Sequence, residues 1–262
     1  MLDVGRHPNI ELLTLCQLTK VEGEKGNFRV SYLKRARYVN EDACTACGEC
    51  AKNCPVEIPS DFDCGLDNHN AIYRPSPQAV PNAFVIEKTE PAPCKIACPI
   101  HQDVPGYMAM VRVGKYQEAI NLIRKTNPLP GICGRVCYHP CEGVCRRLYV
   151  DESLSIARIK RFAADFAIRS GEGLKPPEVE EQREERVAII GSGPAGLSAA
   201  HDLALSGYRS TIFEALPVAG GMLAAAIPDY RLPRDVLQAD IDYIKKMGVE
   251  ILTGITIGKD LT

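Results

Sequence analysis

The chain has 262 residues, 45% of them hydrophobic, with 12 cysteines and a formal net charge of -2. That size accommodates one large or two to three small domains, the apolar content is that of a globular protein, and the near-neutral charge without a clustered basic excess argues against a nucleic-acid binder. No apolar run approaches the roughly 20 residues of a membrane span and the N-terminus has no basic-then-apolar signal pattern, so a cytoplasmic protein is expected.

In that compartment thiols stay reduced, and cysteines in ligand-like spacings read as ligands and not as disulfides. Cys16 is the exception. It ends the apolar run IELLTLC and reads as a small buried hydrophobe in a strand. Residues 1–38 read as a partial β segment: IELLTLC, a turn at GEKG, then NFRVSYLKRARYV, with Lys34, Arg35 and Arg37 as a solvated face. A sheet this small is marginal alone, so the chain is expected to begin inside a larger domain.

Residues 39–66 carry the run Cys44, Cys47, Cys50, Cys54, Pro55, which is the C-x2-C-x2-C-x3-C-P spacing of bacterial ferredoxins. Tight loops present the first three thiolates to one cubane, while the fourth points to a neighbouring cluster. Structural zinc is the alternative, but zinc sites pair two C-x2-C units far apart. Cys64 has no motif around it and is a spare thiol or a substitute ligand. Residues 67–92 read as a Pro-containing connector with one strand, AFVIEK.

Residues 93–170 read as an α-helical iron–sulfur domain. Cys94 and Cys98 open it, the helical region VPGYMAMVRVG and KYQEAINLIRKT follows, and NPLPG breaks the helix at Asn127. Cys133, Cys137, Cys141 and Cys145 recur at intervals of four, which places them on one face wherever the backbone is helical, although Pro140 interrupts regular helix. Zinc is a stronger alternative here, because the spacing is not a ferredoxin one. His139 reads as a loop residue. LSIARIKRFAADFAI is amphipathic, with Leu154, Ile156, Ile159, Phe162, Ala163 and Phe166 on one stripe. A polar, acidic linker is expected over 171–184.

Residues 185–262 read as a Rossmann-type domain: strand VAIIG, the turn Gly191, Ser192, Gly193, Pro194, Ala195, Gly196, a helix, and strand STIFE ending in Glu214. The first glycine permits the turn, the second lets backbone approach a pyrophosphate, the third allows close packing, and Glu214 lies where a ribose hydroxyl would be. Gly207, Glu214, Gly221 and Met222 fall in register with this reading. One more helix and strand complete a βαβαβ unit, half of a doubly wound domain, so an incomplete FAD-binding domain is expected. The overall class is α+β multi-domain: a ferredoxin-like segment, an α-helical ferredoxin domain and an incomplete α/β Rossmann-type domain.

APCKIACP, NPLPGICGRVCYHPCEGVC, IARIKRFAAD and VAIIGSGPAGLSAA, with GGML and IPDYRLP, resemble the small subunit of glutamate synthase and the related N-terminal part of dihydropyrimidine dehydrogenase over residues 93–262. The first 90 residues, with VGRHPNIELLT, GNFRV, the ferredoxin run and PQAVPNAF, are similar to the ferredoxin-bearing insert in the A-type subunit of heterodisulfide reductase. The resemblance implies FAD held by Gly191, Gly193, Gly196 and Glu214, NADPH or NADH as the flavin's partner, and [4Fe–4S] clusters that relay electrons. It also implies that Cys98, Cys137 and Cys141 share one cluster while Cys94 and Cys145 contribute to another, with Cys54 available to complete it. The chain departs from the glutamate synthase relatives where Thr89, Glu90, Pro91 and Ala92 replace a further C-x2-C, and a full nicotinamide domain is absent. Leaving out Cys16, the 11 remaining cysteines are one short of the number three all-cysteine cubanes need, so at least two clusters are expected.

The function this predicts is an FAD- and [4Fe–4S]-dependent oxidoreductase component, passing electrons between NAD(P)H and an acceptor subunit, with other redox subunits or further parts of a longer chain as partners and little activity alone. No catalytic side chain is nominated, because the cofactors carry the chemistry. A non-catalytic electron-wiring or scaffold module is the alternative, and a zinc-stabilised interaction protein is the third reading.

Overall fold

A computed structural model of the protein describes residues 2–88, 90–171, 175–179 and 182–261. Thr89 and parts of the expected acidic linker, 172–174 and 180–181, lie outside the described residues. The chain divides into two compact units, Met1–Pro91 and Ala92–Thr262.

The first unit opens with a short helix, α1 (Leu2–Arg6), and an antiparallel hairpin of β1 (Cys16–Glu24) and β2 (Asn27–Lys34). Gly26, at φ +89, makes the turn where GEKG predicts one. IELLTLC is not a strand over 10–15, contrary to expectation. Leu15 has φ +57, a left-handed conformation that breaks an extended run, and pairing begins at Cys16 with Lys34. After α2 (Glu49–Lys52), β3 (Glu57–Pro59) pairs with β4 (Asn68–Asn70), and β5 (Ile72–Tyr73) pairs with β6 (Val85–Ile86). Residues 67–92, read as a connector with one strand, therefore supply three. They also supply Ala71, Ala83, Phe84 and Val85 to the small core around Ile58.

The second unit begins with helices α3 (Pro93–Ile96), α4 (Val104–Arg112), α5 (Tyr116–Arg124), α6 (Pro130–Val136), α7 (Pro140–Gly143) and α8 (Ile156–Ser170). Proline at the first turn of α3, α4, α6 and α7 suits positions whose N–H has no helical acceptor. The N-terminus of α8 is capped from a distance, by Glu142 Oε1 accepting from Ala157 N at 2.8 Å, and Gly171 at φ +70 ends it. The buried stripe of α8 is the predicted one only in part. Leu154 precedes the helix and is exposed, and the buried face is Ile156, Lys160, Ala163, Ala164 and Ala167. Ala163, Ala164 and Ala167 pack there with Tyr107, Ile120 and Ile123. Phe162 and Phe166 instead meet Tyr116, with centroids 5.2 and 4.8 Å away.

The Rossmann portion is a parallel sheet in the order β7 (Arg186–Ile190), β8 (Arg209–Glu214), β9 (Glu250–Thr253), with α9 (Pro194–Leu205), α10 (Met222–Ala225) and α11 (Arg234–Lys246) between strands. Apolar residues of α11 recur at three and four, so Val236, Leu237, Ile241 and Ile244 share the core with Leu197 and Ala200 of α9 and Ile212 of β8. Leu129 and Ile132, at the start of α6, are buried in that same core. No helix among the described residues is long and apolar enough to cross a membrane.

Candidate functional site

In the first unit, Cys44, Cys47 and Cys50 line a surface cavity of about 270 Å³ with Asn40, Thr45 and Phe84. Left-handed backbone at Ala46 (φ +56) and Gly48 (φ +87) curls the loop so that its thiols face one space, and Phe84 N donates to Cys44 Sγ at 3.5 Å. The Glu49 N–H and the Thr45 hydroxyl hold the Cys47 thiol below its ordinary value, which favours the thiolate a metal needs. Cys54 is not among the residues lining this cavity; its thiol donates to Val56 O at 3.5 Å.

In the second unit the cysteines are not on one helical face. α6 ends at Cys137, whose backbone is extended (ψ 142), His139 is left-handed (φ 46), and the chain restarts as α7. Cys133 therefore lies in α6, Cys141 in α7 and Cys145 just beyond it. Burial pushes the Cys141 thiol up to about 11, opposed by Lys160 and reinforced by Glu142, Cys98 and Cys137. Burial also raises Cys94, with Cys145 adding to it. Cys98 and Cys137 are thus electrostatic neighbours of Cys141, Cys145 of Cys94, and Cys137 of Cys133. Tyr107, fully buried, lies near Cys141, Cys94 and Cys98, and burial raises its phenol most of all. His139 is exposed in its loop and sits 3.3 Å from Glu142.

Among the described residues, no three His, Cys, Asp or Glu side chains stand close enough to share one metal ion. A cubane binds each ligand at a different corner, so that spacing bears on a mononuclear ion and not on a cluster. One buried group fits a cluster directly. Asn127 Nδ2 has no acceptor by hydrogen-bond geometry, yet its amide lies near enough to Cys133 to counter the burial that raises this thiol. An amide donor facing a cysteine sulfur is the kind of contact that tunes a cluster. Sequence reasoning used Asn127 only as a helix breaker and gave Lys160 no role, because neither belongs to a recognisable motif.

The turn at 191–196 has the geometry its glycines predict. Gly191 has φ +91, and a Cβ on Gly196 would lie 1.9 Å from Gly191 O, so the third glycine is a packing requirement. A Cβ on Gly193 would meet nothing within 4 Å, leaving open space before the N-terminus of α9. Gly221 closes over the turn, since a Cβ there would come within 3.0 Å of Gly193 Cα. Met222, the first residue of α10, is exposed. Glu214 is buried, and its oxygens accept from Ser192 N at 2.8 Å, Ser192 Oγ at 2.5 Å and Leu216 N at 2.9 Å. Burial alone would raise its carboxyl, but these donors hold it below the usual carboxylate range. Ser192 Oγ accepts from Gly220 N at 2.9 Å in turn. Glu214 thus ties both glycine turns together, beyond the ribose role its position suggests.

Three stretches match known families: residues 37–60 a 4Fe–4S binding domain, residues 69–172 the dihydropyrimidine dehydrogenase domain II with its 4Fe–4S cluster, and residues 189–237 a NAD(P)-binding Rossmann-like domain. The chain joins 4Fe–4S segments to a Rossmann-type nucleotide-binding region. It is 48% identical over 191 residues to the NADP(+)-dependent formate dehydrogenase subunit beta of Moorella thermoacetica, a match covering 65% of this chain and 27% of that protein. It is 47% identical over 173 residues to the NADPH-Fe(3+) oxidoreductase subunit beta of Geobacter sulfurreducens, covering 65% and 26%. Against the small chain of the NADPH glutamate synthase of Bacillus subtilis it is 36% identical over 165 residues, covering 63% and 33%. The matched region thus spans about a quarter to a third of these relatives' length.

Proposed function

We propose that this chain is the electron-relay portion of an FAD- and [4Fe–4S]-dependent oxidoreductase that passes electrons between NAD(P)H, through flavin, and an acceptor subunit. The observation that carries this reading is the shared core. α6, which bears Cys133 and leads into Cys137, buries Leu129 and Ile132 among the residues of α9, α11 and β8 that shape the glycine turn. Cysteine ligands and nucleotide loop are thereby built on one packed body, which holds two redox sites at a fixed separation. The names of the relatives, each a NADP- or NADPH-linked oxidoreductase subunit or chain, support the reaction class. The resemblance of the first 90 residues to heterodisulfide reductase points the same way.

In this reading Cys44, Cys47 and Cys50 hold one cluster, Cys98, Cys137 and Cys141 a second, and Cys94 with Cys145 contribute to a further one. Gly191, Ser192, Gly193, Pro194, Ala195 and Gly196 receive the pyrophosphate of FAD at the α9 N-terminus, with Glu214, Gly221 and Met222 around it. When bound, the flavin exchanges a hydride with the nicotinamide and single electrons with the clusters. The protein's part is to orient the nucleotide, hold the thiolates and set their electrostatic surroundings. Anaerobic purification followed by iron, acid-labile sulfide, zinc and flavin analysis tests the proposal. Iron and sulfide in cluster ratio are expected, with FAD bound weakly when supplied and little NADPH-dependent dye reduction by this chain alone. Clusters without any flavin binding would favour a non-catalytic wiring module, and zinc in place of iron would overturn both.

A further inference from the structure

Lys160 is a buried cation with no ion-pair partner among the described residues. Its residue is 7% exposed, on the face of α8 that buries Ile156, Ala163 and Ala164. Stripping water from an ammonium is costly unless an anion offsets it, so lysines this buried are normally paired. The one carboxylate on α8, Asp165, is held by Arg135 at 2.7 Å and by Arg161 at 3.6 Å. No hydrogen bond or ion pair joins the Lys160 side chain to any described residue.

Cysteines lie among the neighbours of Lys160. α6 crosses α8 so closely that a Cβ on Gly134 would lie 2.8 Å from Arg161 Cα and 3.0 Å from its N. Cys133 adjoins Gly134 and Lys160 adjoins Arg161, which brings both residues to this crossing. Cys141 packs in the same core as Ile156, Ala163 and Ala164. Lys160 thus lies near enough to Cys133 and Cys141 for its charge to act on both.

We infer that Lys160 is the counter-charge of the cluster ligated by Cys98, Cys137 and Cys141, and that it raises the reduction potential of that cluster. The inference rests on the cluster reading above. Reduction brings one electron from an external donor to a centre that its thiolates already make negative. A fixed cation therefore stabilises the reduced form more than the oxidised one.

The test is a dithionite titration of the anaerobically purified full chain, with mediator dyes, in which electron paramagnetic resonance reads the midpoint of each cluster. In Lys160→Met one signal moves to a more negative potential. At the wild-type midpoint its ratio of reduced to oxidised cluster falls at least about tenfold, which is 59 mV for a one-electron couple. Lys160→Arg stays close to wild type, and the signal that Cys47→Ser removes is unmoved in both variants. If Lys160→Met cannot assemble its cluster while Lys160→Arg can, the charge requirement stands. An unshifted midpoint in a fully loaded Lys160→Met protein overturns the inference, as does loss of the cluster from both variants, which would make the position steric. Absence of iron and sulfide from the wild-type chain would sink the cluster reading itself, and it is read before any variant is made.

Discussion

Two glycines three residues apart are expected to fail for different reasons when substituted. Gly193 has φ -67 and ψ -179, a backbone open to any residue, and a Cβ there meets nothing within 4 Å. Gly193→Val should therefore leave stability within about 0.5 kcal/mol, as surface substitutions do. Its branched side chain would occupy the space before α9 where a pyrophosphate is held. Hydrogen bonds to a charged group contribute about 1.5–3 kcal/mol each, so losing two costs at least about 3 kcal/mol, or roughly 100-fold in Kd. Gly196→Ala is the reverse case. Its Cβ would lie 1.9 Å from Gly191 O, whereas C···O contacts settle at about 3.3 Å or more, so the turn must open by more than about 1 Å. Overpacking of that kind costs about 1–3 kcal/mol and lowers Tm by several degrees in a chain of this size. Circular dichroism melts of the iron-loaded chain, paired with FAD titrations, separate the two. If Gly193→Val melts like Gly196→Ala, or binds FAD like wild type, the assignment of the second glycine to the phosphate and the third to packing is wrong.

Cys54→Ser should spare the paramagnetic signal that Cys47→Ser abolishes, because only the first three cysteines of the ferredoxin run line the cavity at 44–50; loss of the same signal from both variants would place all four in one cubane. Asp240, buried between helix layers, is pushed up to about 7 by that burial, against Arg124 and the N–H groups of Ile132 and Gly131. Its folded-state value lies above the unfolded one of about 3.9, so its contribution to stability is fully present below that pH and lost as pH rises through about 7. Between pH 5 and 8, Asp240→Asn should lack that part of the wild-type fall in Tm, and parallel profiles for the two proteins would refute the assignment.

Covalent spacing and local chemistry are legible along one dimension. The ferredoxin run, the glycine turn and the period of α11 could be read without a structure, because a tight loop, a phosphate-sized gap and an amphipathic helix each depend on residues within a few positions of one another. Even there the limits were local: IELLTLC looked extended, but the left-handed Leu15 postponed the strand to Cys16. No spacing rule along the chain brings distant cysteines together: Cys94 and Cys145, neighbours in the fold although 51 positions separate them, were paired only by family resemblance. Tertiary structure alone turned α8 so that Ala164 and Lys160 joined Ala163 on the inward face and Phe162 lay outside. The reason is packing. At the crossing with α6 the backbones approach at Gly134 and Arg161 more closely than a Cβ on Gly134 allows, while Ala163, Ala164 and Ala167 pack in one core with Tyr107, Ile120 and Ile123. A buried ammonium among thiols is a product of that rotation, and no spacing rule along the chain announces it.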